Sequence, residues 1–416
     1  MTGPEAALDA FLSGAGATRA EVVAAVAARV GLGDGDRLLV AGSVVEGLSS
    51  RKSDLDLLLL TGDRPGADPA DPPDRADPTD PTDPTDPTDP TDRADPTDPT
   101  DPTDPTDPAD RAHSADQVAL VVGRCVVEVR IVRAAALRAL LHRFAAWRAG
   151  PWDVSREAGF GPQEHRLLHR LRHSVELHRG RRDGFGEPAP AVPDLARLKL
   201  HAARQTARTI QVDLVGYREA GDFRTLGYAA QDLLGQAVDA LTAGHGLTNP
   251  VAKWRSRLLD RLPAGWAAGY ALRPSPLTAA ERVWRLHRAP ERAEAAAAER
   301  HALAVTAFAR AVFAGTERLL LTGRTDPPLR WPAAAAGDPL PYLDLDVDYL
   351  PAGGPADPVL LARLNEPGRP VPLAPADFTA ALLLDGVTTA AEAHAATGAD
   401  LPGTLAALRT AALTAG

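Results

Sequence analysis

RLLVAGSVVEGLSSRKSDLDLLLL, residues 37–60, sets the reading of everything around it. Leu38-Leu39-Val40 is a short apolar run that reads as a buried strand and stops at Gly42-Ser43. A connector with Gly47, Ser49 and Ser50 follows, and then Ser53-Asp54-Leu55-Asp56 leads into four leucines. Alternate side chains of a strand share a face, so the pattern predicts Asp54 and Asp56 on one side and Leu55 and Leu57 in the core. Two carboxylates side by side repel each other unless a cation lies between them. Mg²⁺ suits such a pair, because it takes oxygen ligands and is held by one or two carboxylates plus substrate phosphates. Gly42 lets backbone come close to a ligand, and Ser43 offers a hydroxyl and an N–H where a helix would begin.

Gly42-Ser43, ten residues, then Asp54-Leu55-Asp56 followed by an apolar residue resembles the signature of polymerase-β-type nucleotidyltransferases. The resemblance implies transfer of a nucleoside monophosphate from an NTP to an acceptor, with two Mg²⁺ ions held by Asp54 and Asp56. It implies that Gly42, Ser43 and Ser53 meet the nucleotide, with Arg51 or Lys52 as adjunct charges.

The only lysines are Lys52, Lys199 and Lys253 among 45 basic residues, and the single cysteine is Cys125. One cysteine makes no internal disulfide and fits a reducing cytoplasm. The opening Met-Thr-Gly-Pro-Glu is not a secretory leader, and no apolar run approaches membrane-spanning length. The net charge of −10 misleads. From Asp68 to Arg111 there are fifteen Asp and three Arg, so that segment carries −12 and the rest of the chain +2. A nearly neutral body gives no reason to expect a nucleic-acid partner.

Every third residue from Asp68 to Asp110 is Asp, mostly as Asp-Pro-Thr. Proline removes a donor and keeps its predecessor out of helix, so the segment builds neither ladder nor core. It reads as a disordered insertion at 63–116 tolerated on the surface; weak Ca²⁺ binding or an acidic docking arm is the alternative.

Beyond it, VALVV, Gly123-Arg124 and CVVEVRIV predict a hairpin. Val126, Glu128 and Arg130 share one face of its second strand. The nucleotidyltransferase resemblance carries a third carboxylate at this place, which makes Glu128 the expected third metal ligand and a candidate general base. The plain alternative is a Glu128–Arg130 pair on a solvated face.

From about 151 the pattern turns helical. EHRLLHRLRHSVELHRG, residues 164–180, puts Leu167, Leu168, Leu171 and Val175 on one stripe and His165, His169 and His173 on another. No cysteine or clustered acid completes a metal site, so these histidines are expected to be solvated or to line a cleft. Long helices are predicted from Pro193 to about Ala220, Asp222 to about Ala243 and Pro290 to about Leu321, with a further one ending at Leu262. Residues 160–262, including Lys253-Trp254, are similar to the acceptor-binding half of aminoglycoside-type nucleotidyltransferases. Lys199 and Lys253 are candidate point charges for a triphosphate, or else surface lysines. Leu343–Asp348, LDLDVD, reads as a half-exposed strand. Asp377–Leu384, Thr388–Thr397 and Pro402–Leu413 read as three short helices of an interaction module, similar to small winged-helix or peptide-binding modules.

The expected fold is therefore α+β. A small mixed-sheet nucleotidyltransferase domain (1–150) precedes an all-α acceptor-binding domain (151–325), a Pro/Gly-rich connector (326–358) and a small helical module (359–416). The expected partners are an NTP and a hydroxyl acceptor, small molecule or protein, with no membrane; the alternative is a non-catalytic scaffold of the same fold.

Overall fold

The computed structural model describes residues 3–50, 52–62, 117–154, 156–181, 188–290, 294–322, 329–332, 336–350, 358–364 and 370–415. The Asp-Pro-Thr insertion, Arg51 and parts of the expected connector lie outside them. The fold is mixed α+β and falls into two compact units. One comprises residues 1–139 with 174–187, the other 140–173 with 188–416.

The first unit opens with helices α1 (Pro4–Ala15) and α2 (Arg19–Val30). Thr18 caps α2 in a capping box: its hydroxyl accepts from the Glu21 N–H, and the Glu21 carboxylate accepts from the Thr18 N–H at 2.8 Å. Strands β1 (Arg37–Ala41), β2 (Leu55–Thr61), β3 (Gln117–Val122), β4 (Cys125–Arg133) and β5 (Val175–Arg179) form one sheet in the order β3-β4-β2-β1-β5. β2 and β4 run parallel and every other pair is antiparallel. The predicted hairpin turns at Gly123, whose φ is +59°. A side chain there would also press on the Ala15 carbonyl at 2.7 Å, so the turn needs glycine twice over. Leu38, Val40, Leu55, Leu57, Val127 and Val129 share the sheet face that packs on Leu8, Leu12, Val22 and Val26 of the helices. Asp36, almost fully buried, accepts from the Gly33 and Gly62 N–H groups and so fastens the start of β1 to the end of β2.

β5 corrects the sequence reading. The helix expected through residue 180 ends at Arg172 (α4, Pro162–Arg172, after α3, Ala134–Ala149), and Val175–Arg179 pairs with β1 instead. Val-Glu-Leu-His alternates as well as it spirals, and an open sheet edge decides between the two.

In the second unit, α5 (Val192–Glu219), α6 (Phe223–Gly244) and α9 (Ala295–Thr322) are the long helices. A 3₁₀ turn (Ala252–Trp254), α7 (Arg255–Leu259) and α8 (Ala279–His287) link α6 to α9. β6 (Val347–Leu350), β7 (Val359–Arg363) and β8 (Val371–Leu373) make a three-stranded antiparallel sheet, followed by α10 (Pro375–Leu382), α11 (Ala390–Thr397) and α12 (Leu401–Thr410). The tail does not stand apart as a module. Leu343, Phe378, Leu383, Leu401 and Leu408 belong to the same hydrophobic core as Leu200, Leu233 and Phe313 of the long helices.

LDLDVD is likewise not a half-exposed strand. Asp344, Asp346 and Asp348 are all buried, and each meets arginine. Arg218 and Arg363 bind Asp344 at 2.6 and 3.0 Å, Arg363 binds Asp346 at 2.8 Å, and Arg204 and Arg208 bind Asp348 at 2.5 and 3.2 Å. Among the described residues no helix is long and apolar enough to cross a membrane.

Candidate functional site

Register assembles the candidate site. Asp56 on β2 is directly opposite Glu128 on β4 and Ala41 on β1. Register partners share a face and neighbouring strands lie about 4.8 Å apart, so Asp56 and Glu128 stand side by side on the face away from α1 and α2. Both are half-buried. Gly42 follows β1 with φ +77°, and a Cβ there would overlap the Asp56 carboxylate. Glycine is therefore required both by the backbone and by the acid it lies against.

Asp54 immediately precedes β2 and is exposed. It lies near Cys125 at the start of β4. Burial pushes the Cys125 thiol up, a hydrogen bond from Leu55 pulls it back, and the Asp54 charge raises it further.

The connector is a chain of turns rather than a helix. The Ser43 carbonyl accepts from the Leu48 and Ser49 N–H groups at 2.8 and 3.0 Å, and the Gly42 carbonyl from Glu46 N–H at 3.3 Å. Ser43 is buried in this coil. Ser53 shapes the last turn: its hydroxyl accepts from the Ser50 N–H at 2.8 Å, and its own N–H donates to the Ser50 carbonyl. Lys52 is exposed on that turn.

The site also has a member that the sequence reading passed over. Gln117 opens β3, and its side-chain amide donates to the Glu128 carboxylate at 3.3 Å. Its signal was a polar residue at the head of an apolar strand on the edge of the sheet.

All of the expected ligands are hard oxygen donors, which is the chemistry of Mg²⁺. Two adjacent carboxylates, Asp56 and Glu128, suffice for an ion that takes its remaining ligands from water and phosphate. Among the described residues no group of three or more His, Cys, Asp or Glu is drawn together tightly enough to hold a metal unaided.

Lys199, His165 and His169 belong to the second unit and are buried there, with His173 half-buried beside them. Lys199 donates to the Thr242 hydroxyl at 2.8 Å and the Leu247 carbonyl at 3.1 Å, with Asp239 at 3.5 Å. These contacts differ from the expected meeting with a triphosphate. His169 and His173, rings 4.6 Å apart, both reach the Thr248 hydroxyl, at 3.0 and 3.1 Å. His165 is buried beside them, and burial first, then the Lys199 charge and His169, push its pKa down to about 3. Helix α4 thus turns His165 and His169 inward, so they are packed rather than solvated, while His165 also lines a cleft with Phe160 and Leu198, in line with the cleft-lining expectation. Lys253 faces the ring of Trp254 at 5.1 Å.

No protein-family model matches this chain, and neither a curated protein nor a solved structure matches it.

Proposed function

We propose that this chain is a Mg²⁺-dependent nucleotidyltransferase that moves a nucleoside monophosphate from an NTP to a hydroxyl of a small-molecule or protein acceptor. The observation that carries the reading is the register pair Asp56–Glu128 with Gly42 pressed against the Asp56 carboxylate. Nothing but a glycine allows the turn after β1 to come so near an acid. A backbone at that distance supports a ligand lying over both.

In the reaction the acceptor oxygen attacks the α-phosphorus, the bond to the β-phosphate bridge breaks, and pyrophosphate leaves in line. Mg²⁺, when bound, neutralises the triphosphate and the charge that builds on the leaving oxygen. Asp56 and Glu128 would hold it, with water and phosphate completing its ligands. Glu128 also takes the acceptor hydroxyl proton, oriented by the Gln117 amide. The start of the turn, residues 42–45, offers backbone N–H groups to the phosphates, and Lys52 adds an exposed positive charge near Asp54. Lys199 is given no part, because its ammonium is engaged inside its own unit.

The test is incubation with each α-labelled NTP, Mg²⁺ and a lysate separated into small molecules and proteins. Label should move to one fraction, and EDTA should abolish the transfer. No transfer from any NTP to either fraction would leave the scaffold alternative.

A further inference from the structure

A cleft of about 860 Å³ runs between α5 and the segment 154–161 that leads into α4. That segment is tied to α5 at two places. The Gln205 amide donates to the Arg156 carbonyl at 2.6 Å, and the His201 Nε2 lies 3.0 Å from the Asp153 carbonyl. Val154, Phe160, Leu198 and Ile210 supply an apolar wall. Phe160 is held in place by Phe144 and Trp147 of α3, with ring centres 6.0 and 6.1 Å from its own. The wall is therefore built before any ligand arrives.

Three ionisable side chains line the cleft, and they differ in what they have left to offer. Arg208 is engaged by Asp348 at 3.2 Å. Glu157 is exposed and pairs with no cation among the described residues. His165 is almost fully buried, makes no hydrogen bond among the described residues, and keeps its Nε2 without a partner. A buried polar group left unmet costs stability, and a ligand that meets it recovers that cost. With its pKa pushed down to about 3 by burial and then by the Lys199 charge, the imidazole is neutral and one nitrogen can accept. Gln205 is committed to Arg156, and the Thr206 hydroxyl donates to the Ala202 carbonyl at 3.1 Å, which leaves Thr209 exposed at the mouth. A polyhydroxylated ligand finds little to bind on such a wall.

We propose that this cleft binds a small amine with an apolar body: its ammonium pairs with Glu157, its body covers Phe160, Leu198 and Ile210, and a hydroxyl at its far end donates to His165. The apolar body supplies affinity through the area it removes from water, and the two polar ends fix its orientation. The cleft lies wholly within the second unit and asks nothing of Asp56 or Glu128.

Tyramine has this layout and is the probe, titrated into the full-length chain by calorimetry. Saturable binding is expected with a Kd below about 1 mM. Glu157→Lys should weaken it about fivefold or more without lowering the melting temperature, since this side chain is exposed. Phenethylamine, which lacks the hydroxyl, should bind about threefold more weakly or worse, and the margin should vanish in His165→Leu. Neither para-hydroxyphenylacetate, the same body with a carboxylate, nor glucosamine should bind. Absence of saturable tyramine binding, equal binding of the carboxylate, or a Glu157→Lys chain that binds like the parent would overturn the site. Glucosamine bound as tightly as tyramine would overturn the apolar body as the ligand class. Equal affinity for tyramine and phenethylamine in the parent chain would remove His165 from the site, a comparison that holds whether or not His165→Leu folds.

Discussion

Asp56 and Glu128 stand next to each other, two like charges directly opposite on one sheet face. Asp56→Asn and Glu128→Gln keep size and remove one charge. Each should leave the melting temperature unchanged or slightly raised and slow nucleotide transfer about 100-fold, roughly 3 kcal/mol of transition-state stabilisation. Melting and label transfer measured on the same samples check this; a Glu128→Gln enzyme as fast as the parent would move the third carboxylate elsewhere. Gly42→Ala is the sharper change. With φ at +77° and the Asp56 carboxylate in the way, a methyl group should cost about 1–2 kcal/mol of stability from the backbone alone, and transfer should be lost. Urea denaturation beside the transfer assay checks both. His165 makes a separate prediction. With its folded pKa pushed down to about 3 and an unfolded value near 6.5, only the unfolded chain takes up this proton between those limits. Stability should be indifferent to this group above pH 6.5 and fall as pH drops below it. Between pH 6.5 and 5 the parent should lose about 2 kcal/mol more than His165→Gln, read from urea midpoints.

At the scale of the element, Arg310 on α9 fastens the stretch ahead of β6. Its guanidinium, buried, donates to the carbonyls of Val347 at 2.7 Å, Leu345 at 3.1 Å and Leu343 at 3.3 Å, and to that of Asp344. Arg310→Met would leave these acceptors buried without a donor. It should cost about 3 kcal/mol or more, with amide-exchange protection lost first around 343–350. Periodicity foretold such elements unevenly. β1, β2 and the β3–β4 hairpin were plain because their apolar runs are short and bounded by glycine, and α5, α6 and α9 because their stripes are long. Alternation gave the faces within each strand, and only the resemblance set Glu128 beside Asp56. β5 was hidden because five residues satisfy both periods and only the sheet edge chooses. The acids of 344–348 were misread because what makes their burial tolerable, arginines 204, 208, 218 and 363, lies far away in sequence. The inward turn of His165 and Lys199 was missed for the same reason: polar residues at helical spacing do not announce partners on another helix.

Over the whole molecule, the first unit is discontinuous in sequence, since β5 returns to it after α4. A fragment ending at Gly150 would leave β1 an unpaired edge. Such a fragment should aggregate or lack a cooperative melt by circular dichroism, where the full chain melts cooperatively. Pairing in parallel has a further consequence for β2 and β4. Their ladder joins residues 55–61 to 127–133, and the insertion lies wholly within the arc that this ladder must close. Closure entropy grows only with the logarithm of the arc, so doubling it would cost about 0.6 kcal/mol. If that cost falls before the transition state, it amounts to roughly a threefold delay in folding. Lineages that gain or lose copies of the triplet would then differ in the tempo at which the sheet closes, and arrive at the same sheet.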